Sequence, residues 1–130
     1  TIIDDYAHHP DEITATLKTA EHYPHKKLWV VFQPHTYTRT KALLPKFAKA
    51  LSEADAVVLA DIYAAREKNT LGISSKNLAD EIEKLGTEVH YFPTFDEIEN
   101  FLLENCNDND LLITMGAGDV YKIGEKLLGK

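Results

Sequence analysis

Apolar residues in this chain follow two rhythms that alternate from one end to the other. Short runs rich in β-branched and aromatic residues occupy Thr1–Asp4, Leu28–Gln33, Ala56–Ala60, Val89–Phe92 and Leu111–Thr114, and each is followed by a segment with helical spacing. Leu28-Trp29-Val30-Val31-Phe32 and Ala56-Val57-Val58-Leu59-Ala60 are apolar without interruption, as in parallel strands covered on both faces. Val89-His90-Tyr91-Phe92 alternates more and is expected nearer a sheet edge.

The first helix is predicted to open at Pro10, a residue favoured at the first helical position. Asp11 and Glu12 suit the positive end of its dipole, and Ile13, Leu17 and Ala20 share one face. Leu44, Phe47, Ala48 and Leu51 give the stripe of a second helix, which Pro45 either begins or kinks. Ser74 or Ser75 is placed to cap a third, with Leu78, Ile82 and Leu85 inward and Gly86 as its stop. Thr94 and Glu97 form a capping box for a fourth, with Ile98, Phe101 and Leu102 inward. A fifth runs from about Asp119 with Val120, Ile123 and Leu127 inward.

Strands alternating with helices over short connections imply an α/β fold: a three-layer α/β/α sandwich around a Rossmann-like, mainly parallel sheet of five or six strands. No repeat or linker divides residues 1–130, which read as one domain. Ligands of such sheets bind beyond the carboxyl ends of the strands. Asp5 to Pro10, Gln33 to Arg39, Asp61 to Glu67 and Gly116 to Asp119 stand there, so nearly all candidate chemistry lies on one edge.

The composition, 44% hydrophobic and 27% charged, is that of a soluble globular chain, and no apolar run approaches the roughly 20 residues that span a bilayer. A formal charge of -7 opposes nonspecific attraction to a phosphate polymer, so neither nucleic acid nor membrane is an expected partner. The single cysteine, Cys106, cannot form an internal disulfide, and no charged-then-apolar leader opens the chain; a cytoplasmic location is expected. Thr1 is no initiator Met, and Thr1-Ile2-Ile3-Asp4-Asp5 reads as a strand already under way, as in a chain cut from something longer.

Asp4-Asp5-Tyr6-Ala7-His8-His9-Pro10 offers a carboxylate able to accept two hydroxyl hydrogen bonds and imidazoles near a helix N-terminus, where anions are favoured. The same residues equally suit capping, with Asp5 satisfying local N–H groups and His9 serving as N-cap. His8 and His9 are adjacent and point apart in an extended segment. No Cys-x-x-Cys is present, and the other histidines are scattered, so no bound metal is expected. Arg39 either clamps a carboxylate or phosphate with its planar donors or is a solvated or acid-paired surface residue. The Asp61–Gly72 segment is long for a strand-to-helix loop, and Arg66 beside Glu67 would suit a zwitterionic amino acid or simply water. Gly116-Ala117-Gly118 lacks the third glycine of a dinucleotide loop and reads as a tight turn. Gly124 to Lys130 imitates the start of a nucleotide P-loop but lies on an amphipathic helix and is rejected.

Together, Asp4-Asp5-Tyr6-Ala7-His8-His9-Pro10, Phe32-Gln33-Pro34-His35-Thr36-Tyr37-Thr38-Arg39-Thr40 and Met115-Gly116-Ala117-Gly118-Asp119 resemble the C-terminal domain of the Mur ligases. The second run is closest to the members that add L-alanine to UDP-N-acetylmuramate. The resemblance implies an N-terminal UDP-binding domain and a central ATPase domain as partners, neither present among these residues, so the domain is expected to be inactive alone. It implies ATP and Mg2+ as cofactors, and UDP-N-acetylmuramate and L-alanine as substrates of an amide-forming reaction through an acyl phosphate. Carried over by position, Asp5 resembles the carboxylate that holds the ATP ribose and Tyr6 a neighbour of the nucleotide. His8 resembles a group facing the reacting phosphate and carboxylate. Arg39 is similar to the arginine that holds the anionic sugar substrate, with His35 shaping its loop. Tyr63, Arg66 and Glu67 occupy the segment where relatives meet the incoming amino acid. Thr36 stands where many relatives carry Arg. The competing readings are a peptidoglycan-recycling ligase that joins a whole peptide to the same sugar nucleotide, a noncatalytic nucleotide- or anion-binding module, and, more remotely, a response-regulator-like domain using Asp61.

Overall fold

The computed structural model describes residues 2–5, 7–116 and 118–127. Strands β1 (Ile2–Asp5), β2 (Leu28–Phe32), β3 (Ala56–Leu59), β4 (Glu88–Tyr91) and β5 (Leu111–Met115) form a five-stranded sheet in the order β1-β5-β2-β3-β4. All four pairings are parallel. Helices α1 (Pro10–Ala20), α2 (Tyr37–Ala42), α3 (Leu44–Leu51), α4 (Ser75–Lys84), α5 (Phe95–Asn105) and α6 (Tyr121–Leu127) complete the three layers.

Every residue of β2, β3 and β5 is buried, which explains their unbroken apolar runs: successive side chains point to opposite faces, and both faces are covered. On one face Val30, Phe32, Val57 and Leu59 share a core with Ile13 and Leu17 of α1, Phe47 and Leu51 of α3, and Leu78 and Ile82 of α4. On the other, Trp29, Val31 and Val58 share one with Ile98 and Leu102 of α5 and Ile123 of α6. Each fully buried Leu, Ile or Phe contributes roughly 1.5–3 kcal/mol relative to exposure. The more alternating β4 is an edge strand with no fully buried residue, as its pattern predicts.

Local chemistry sets the helix starts. His9 is the N-cap of α1, its Nδ1 accepting the Asp11 N–H at 3.2 Å, and Pro10 follows where a missing N–H costs nothing. Asn77 Oδ1 accepts the Ser74 N–H at 2.8 Å ahead of α4. Thr94 Oγ1 accepts the Glu97 N–H at 3.2 Å at α5. Pro45 sits in the first turn of α3 and so begins that helix.

Several details depart from the sequence reading: only the Thr94 half of the expected capping box forms at α5, and α6 opens at Tyr121 instead of about Asp119. Leu85 is exposed rather than inward, because α4 ends at Lys84 and Gly86, with φ +86°, turns the chain before the stripe can continue. Arg39 lies inside the short helix α2 instead of ahead of a helix. At the amino ends of the strands, buried Asp110 accepts hydrogen bonds from Trp29 Nε1 and the Asn107 N–H, both at 3.0 Å. Among the described residues no helix is long and apolar enough to cross a membrane.

Candidate functional site

α2 and α3 leave β2 on the face shared with α1, while α6 leaves β5 on the other. That divergence lies at the carboxyl ends of two neighbouring strands, the region where ligands of open parallel sheets bind.

Parallel pairing between the β2 and β3 chains continues past the strands themselves. The Tyr63 N–H donates to Pro34 O and the Thr36 N–H to Tyr63 O, both at 2.8 Å, with His35 and Tyr63 as bridge partners. Their rings therefore stack, centroids 5.6 Å apart with 23° between planes. His8, arriving from β1, sets its ring edge-on to His35 at 6.3 Å. β1 and β2 are not neighbours, since β5 lies between them, and the loop after β5 must be thin for the flanking loops to meet over it. Gly116 (φ +146°) provides this: a Cβ there would sit 3.0 Å from Gln33 O and 3.1 Å from Val120 Cγ1. A Cβ on Gly118 would fall 2.8 Å from Gln33 Oε1.

Asp5 ends β1, with Oδ1 accepting the Ala7 N–H at 2.7 Å and Oδ2 accepting Thr16 Oγ1–H at 3.0 Å. Both the local-capping reading and the hydroxyl-binding reading remain chemically open, because each oxygen keeps a further lone pair. A groove of about 330 Å³ lined by Ile3, Thr16, Thr19, Tyr23 and Ile113 runs beside this carboxylate. His8 is half-buried, with Nδ1 3.9 Å from Glu12 Oε1. Tyr6 lies outside the described residues.

Arg39 is the third residue of α2 and is half-buried. No carboxylate among the described residues lies within ion-pair distance of its guanidinium. Burial, then the Arg39 charge, then His8 hold the His35 imidazole below its ordinary pKa, with Glu67 opposing. His35 is therefore neutral near pH 7, and its Nδ1 is buried with no hydrogen-bond partner among the described residues, as is Gln33 Oε1 beneath Tyr63 and Gly118. Gln33 Nε2 donates to Asp61 O at 3.2 Å.

Thr36, the N-cap of α2, takes φ 62° and ψ 147°, a strained conformation for a β-branched residue that costs on the order of 1–3 kcal/mol and typically marks functional loops. In the loop after β3, Ala65 and Arg66 also have positive φ; Arg66 and Tyr63 are exposed there, whereas Glu67 turns inward onto α2. Asp61 accepts a hydrogen bond from the Tyr91 hydroxyl, which pushes that phenol up to about 12. Among the described residues no group of three His, Cys, Asp or Glu side chains is placed to hold a metal ion.

The structure thus brings the His8, His35 and Tyr63 rings together beyond the carboxyl ends of the strands, with the Arg39 charge acting on His35 and Asp5 at the end of β1. The sequence singled out Glu67 as a candidate contact to an amino acid and Thr36 as a departure from relatives, but not the capping roles both take at α2, nor the buried place of Gln33 beneath Tyr63. The fold and site define a doubly wound α/β domain with a polar candidate edge at its topological switch point.

Residues 1–118 match the family described as Mur ligase, glutamate ligase domain, and the chain belongs to that family. It is 66% identical over 128 residues to UDP-N-acetylmuramate–L-alanine ligase of Lachnospira eligens, a match spanning 98% of this chain and 28% of the relative. The ligase of the same name from Agathobacter rectalis is 66% identical over all 130 residues, again 28% of its own length. The chain therefore spans little more than a quarter of these relatives. Among solved structures, the UDP-N-acetylmuramate–alanine ligase of Thermotoga maritima superposes with a TM-score of 0.78 at 31% identity, covering 98% of this chain and 26% of that one. The murein peptide ligase of Psychrobacter arcticus shares the fold, with a TM-score of 0.75 at 20% identity over 98% of this chain and 26% of its own.

Proposed function

We propose that this chain is the C-terminal domain of an ATP-dependent amide ligase joining L-alanine to the lactyl carboxylate of UDP-N-acetylmuramate in peptidoglycan precursor synthesis. The observation that carries the reading is the meeting of His8 and His35 beside Arg39, which pairs with no carboxylate among the described residues, in a chain 66% identical to ligases of that name.

ATP supplies the phosphoryl group that activates the carboxylate. The residues present fit a nucleotide. Asp5 retains acceptor capacity on both oxygens for the vicinal hydroxyls of a ribose, and Tyr6 is its neighbour in sequence. Mg2+ is expected to accompany the nucleotide, and the described residues offer it no ligand set of their own. Arg39 holds the anionic sugar substrate with its planar donors, and His8 faces the reacting carboxylate. His35, kept neutral, shapes the site between them without adding a second positive charge. Tyr63, Arg66 and Glu67 belong to the loop where the amino acid arrives. Such chemistry rests on positioning and charge neutralisation, so a facing ATPase domain and a UDP-binding domain complete the site, and the isolated domain has no turnover. A cytoplasmic location fits these substrates.

Phosphate release by the full-length enzyme, given ATP and UDP-N-acetylmuramate with either L-alanine or a cell-wall tripeptide, tests the reading. L-alanine alone should support turnover. Turnover only with the tripeptide would assign the chain to peptide recycling, and tight ATP binding by these 130 residues without turnover in the full-length protein would make it a binding module.

A further inference from the structure

We infer that Glu67 is a positioning residue that holds the α2 helix, and with it Arg39, in place rather than a contact to the incoming amino acid. The inference rests on the proposed role of Arg39 in holding the sugar substrate.

α2 has six residues, Tyr37-Thr38-Arg39-Thr40-Lys41-Ala42, of which only Thr40 is buried. A segment so short, lacking an apolar stripe, does not hold helical geometry by its own propensity. Its stability must come from what satisfies its free N–H groups. The accounting is complete. The Thr36 N–H donates to Tyr63 O at 2.8 Å, and the Arg39 N–H to Thr36 Oγ1 at 3.2 Å. The two between them donate to Glu67: Tyr37 N–H to Oε1 at 2.7 Å and Thr38 N–H to Oε1 at 3.1 Å. Thr38 Oγ1–H donates to Oε2 at 2.8 Å. One carboxylate, 30 residues away in sequence from Tyr37, thus closes the first helical turn with three charge-assisted bonds. The same bonds to Thr38 and Tyr37 hold the Glu67 carboxyl below its ordinary pKa, as expected of a carboxylate engaged as an anion. Three of the roughly four acceptor sites of the Glu67 carboxylate are used within the protein, which leaves the group less available to a substrate ammonium. Arg39 follows Thr38 directly, so fraying of the first turn moves the guanidinium.

The test uses the full-length enzyme with Glu67→Ala and Glu67→Gln, each alone and combined with Arg39→Ala. Glu67→Ala should lower kcat/KM for UDP-N-acetylmuramate by about tenfold or more while leaving KM for L-alanine within about twofold. Glu67→Gln, whose side-chain oxygen still accepts from both N–H groups, should recover most of the loss. In the Arg39→Ala background, removing Glu67 should cost little more, because the two act in series. Hydrogen exchange gives a readout independent of activity: Tyr37, Thr38 and Arg39 amides should exchange faster in Glu67→Ala than in the wild type. A selective rise in KM for L-alanine that Gln does not rescue would overturn the inference, and so would unchanged exchange in α2. An enzyme inactive with L-alanine but showing the loosened α2 would instead count against the proposed reaction.

Discussion

The His35 and Tyr63 rings stack at 5.6 Å because the chains leaving β2 and β3 remain hydrogen-bonded beyond the last residues of their strands. The site is therefore built on sheet geometry, more rigid than a free loop, and the imidazole is fixed where burial and the Arg39 charge act on it.

That placement gives a pH prediction. His35 has its folded pKa lowered from 6.5, so between the two values the unfolded chain binds more protons, and stability rises with pH. The contribution is full above about 6.5 and is lost as pH falls through the lowered folded value. Chemical denaturation of the 130-residue chain at a series of pH values from neutral to mildly acidic should show a slope that His35→Gln flattens. An identical slope in the variant would mean that the imidazole is solvated.

The thin turn after β5 makes a second prediction. In Gly116→Ala the new Cβ meets backbone at 3.0 Å and the residue must keep a positive φ, so about 1–3 kcal/mol of stability should be lost. Gly118→Ala clashes with the end of the Gln33 side chain, which can shift, and makes ordinary contact with the Tyr63 ring at 3.6 Å, so it should cost less. Urea midpoints of the two variants check the order.

At the amino end of the sheet, Asp110→Ala should cost about 1–3 kcal/mol by leaving the buried Trp29 indole N–H unpaired. The full-length enzyme should keep its kcat at temperatures where the variant is folded, because this carboxylate lies at the end of the strands opposite the candidate site. A fall in kcat without a fall in stability would contradict that separation.

Much of this architecture is written locally. The runs at Leu28–Phe32 and Ala56–Leu59 are unbroken because both faces are covered, and His9-Pro10 carries its own helix start. The polar rim after each strand was legible for the same reason, since strand ends can be read from the chain. α2 was not legible: it has no apolar stripe, and the carboxylate that caps it comes from the loop after β3. Leu85 misled because its spacing continues a stripe whose helix has already ended. Nor could sequence show that His8 would meet His35. That depends on β5 inserting between β1 and β2 and on Gly116 keeping the intervening turn low.

The central claim is that Arg39 serves bound substrate and not the fold. Its most direct test is Arg39→Ala in the full-length enzyme, with kcat/KM for UDP-N-acetylmuramate and the unfolding midpoint measured on the same preparation. The account predicts a loss of at least about a hundredfold in kcat/KM, roughly 2.7 kcal/mol of transition-state stabilisation, with stability changed by less than about 0.5 kcal/mol. Wild-type turnover, or a loss of activity matched by a loss of stability, would contradict it.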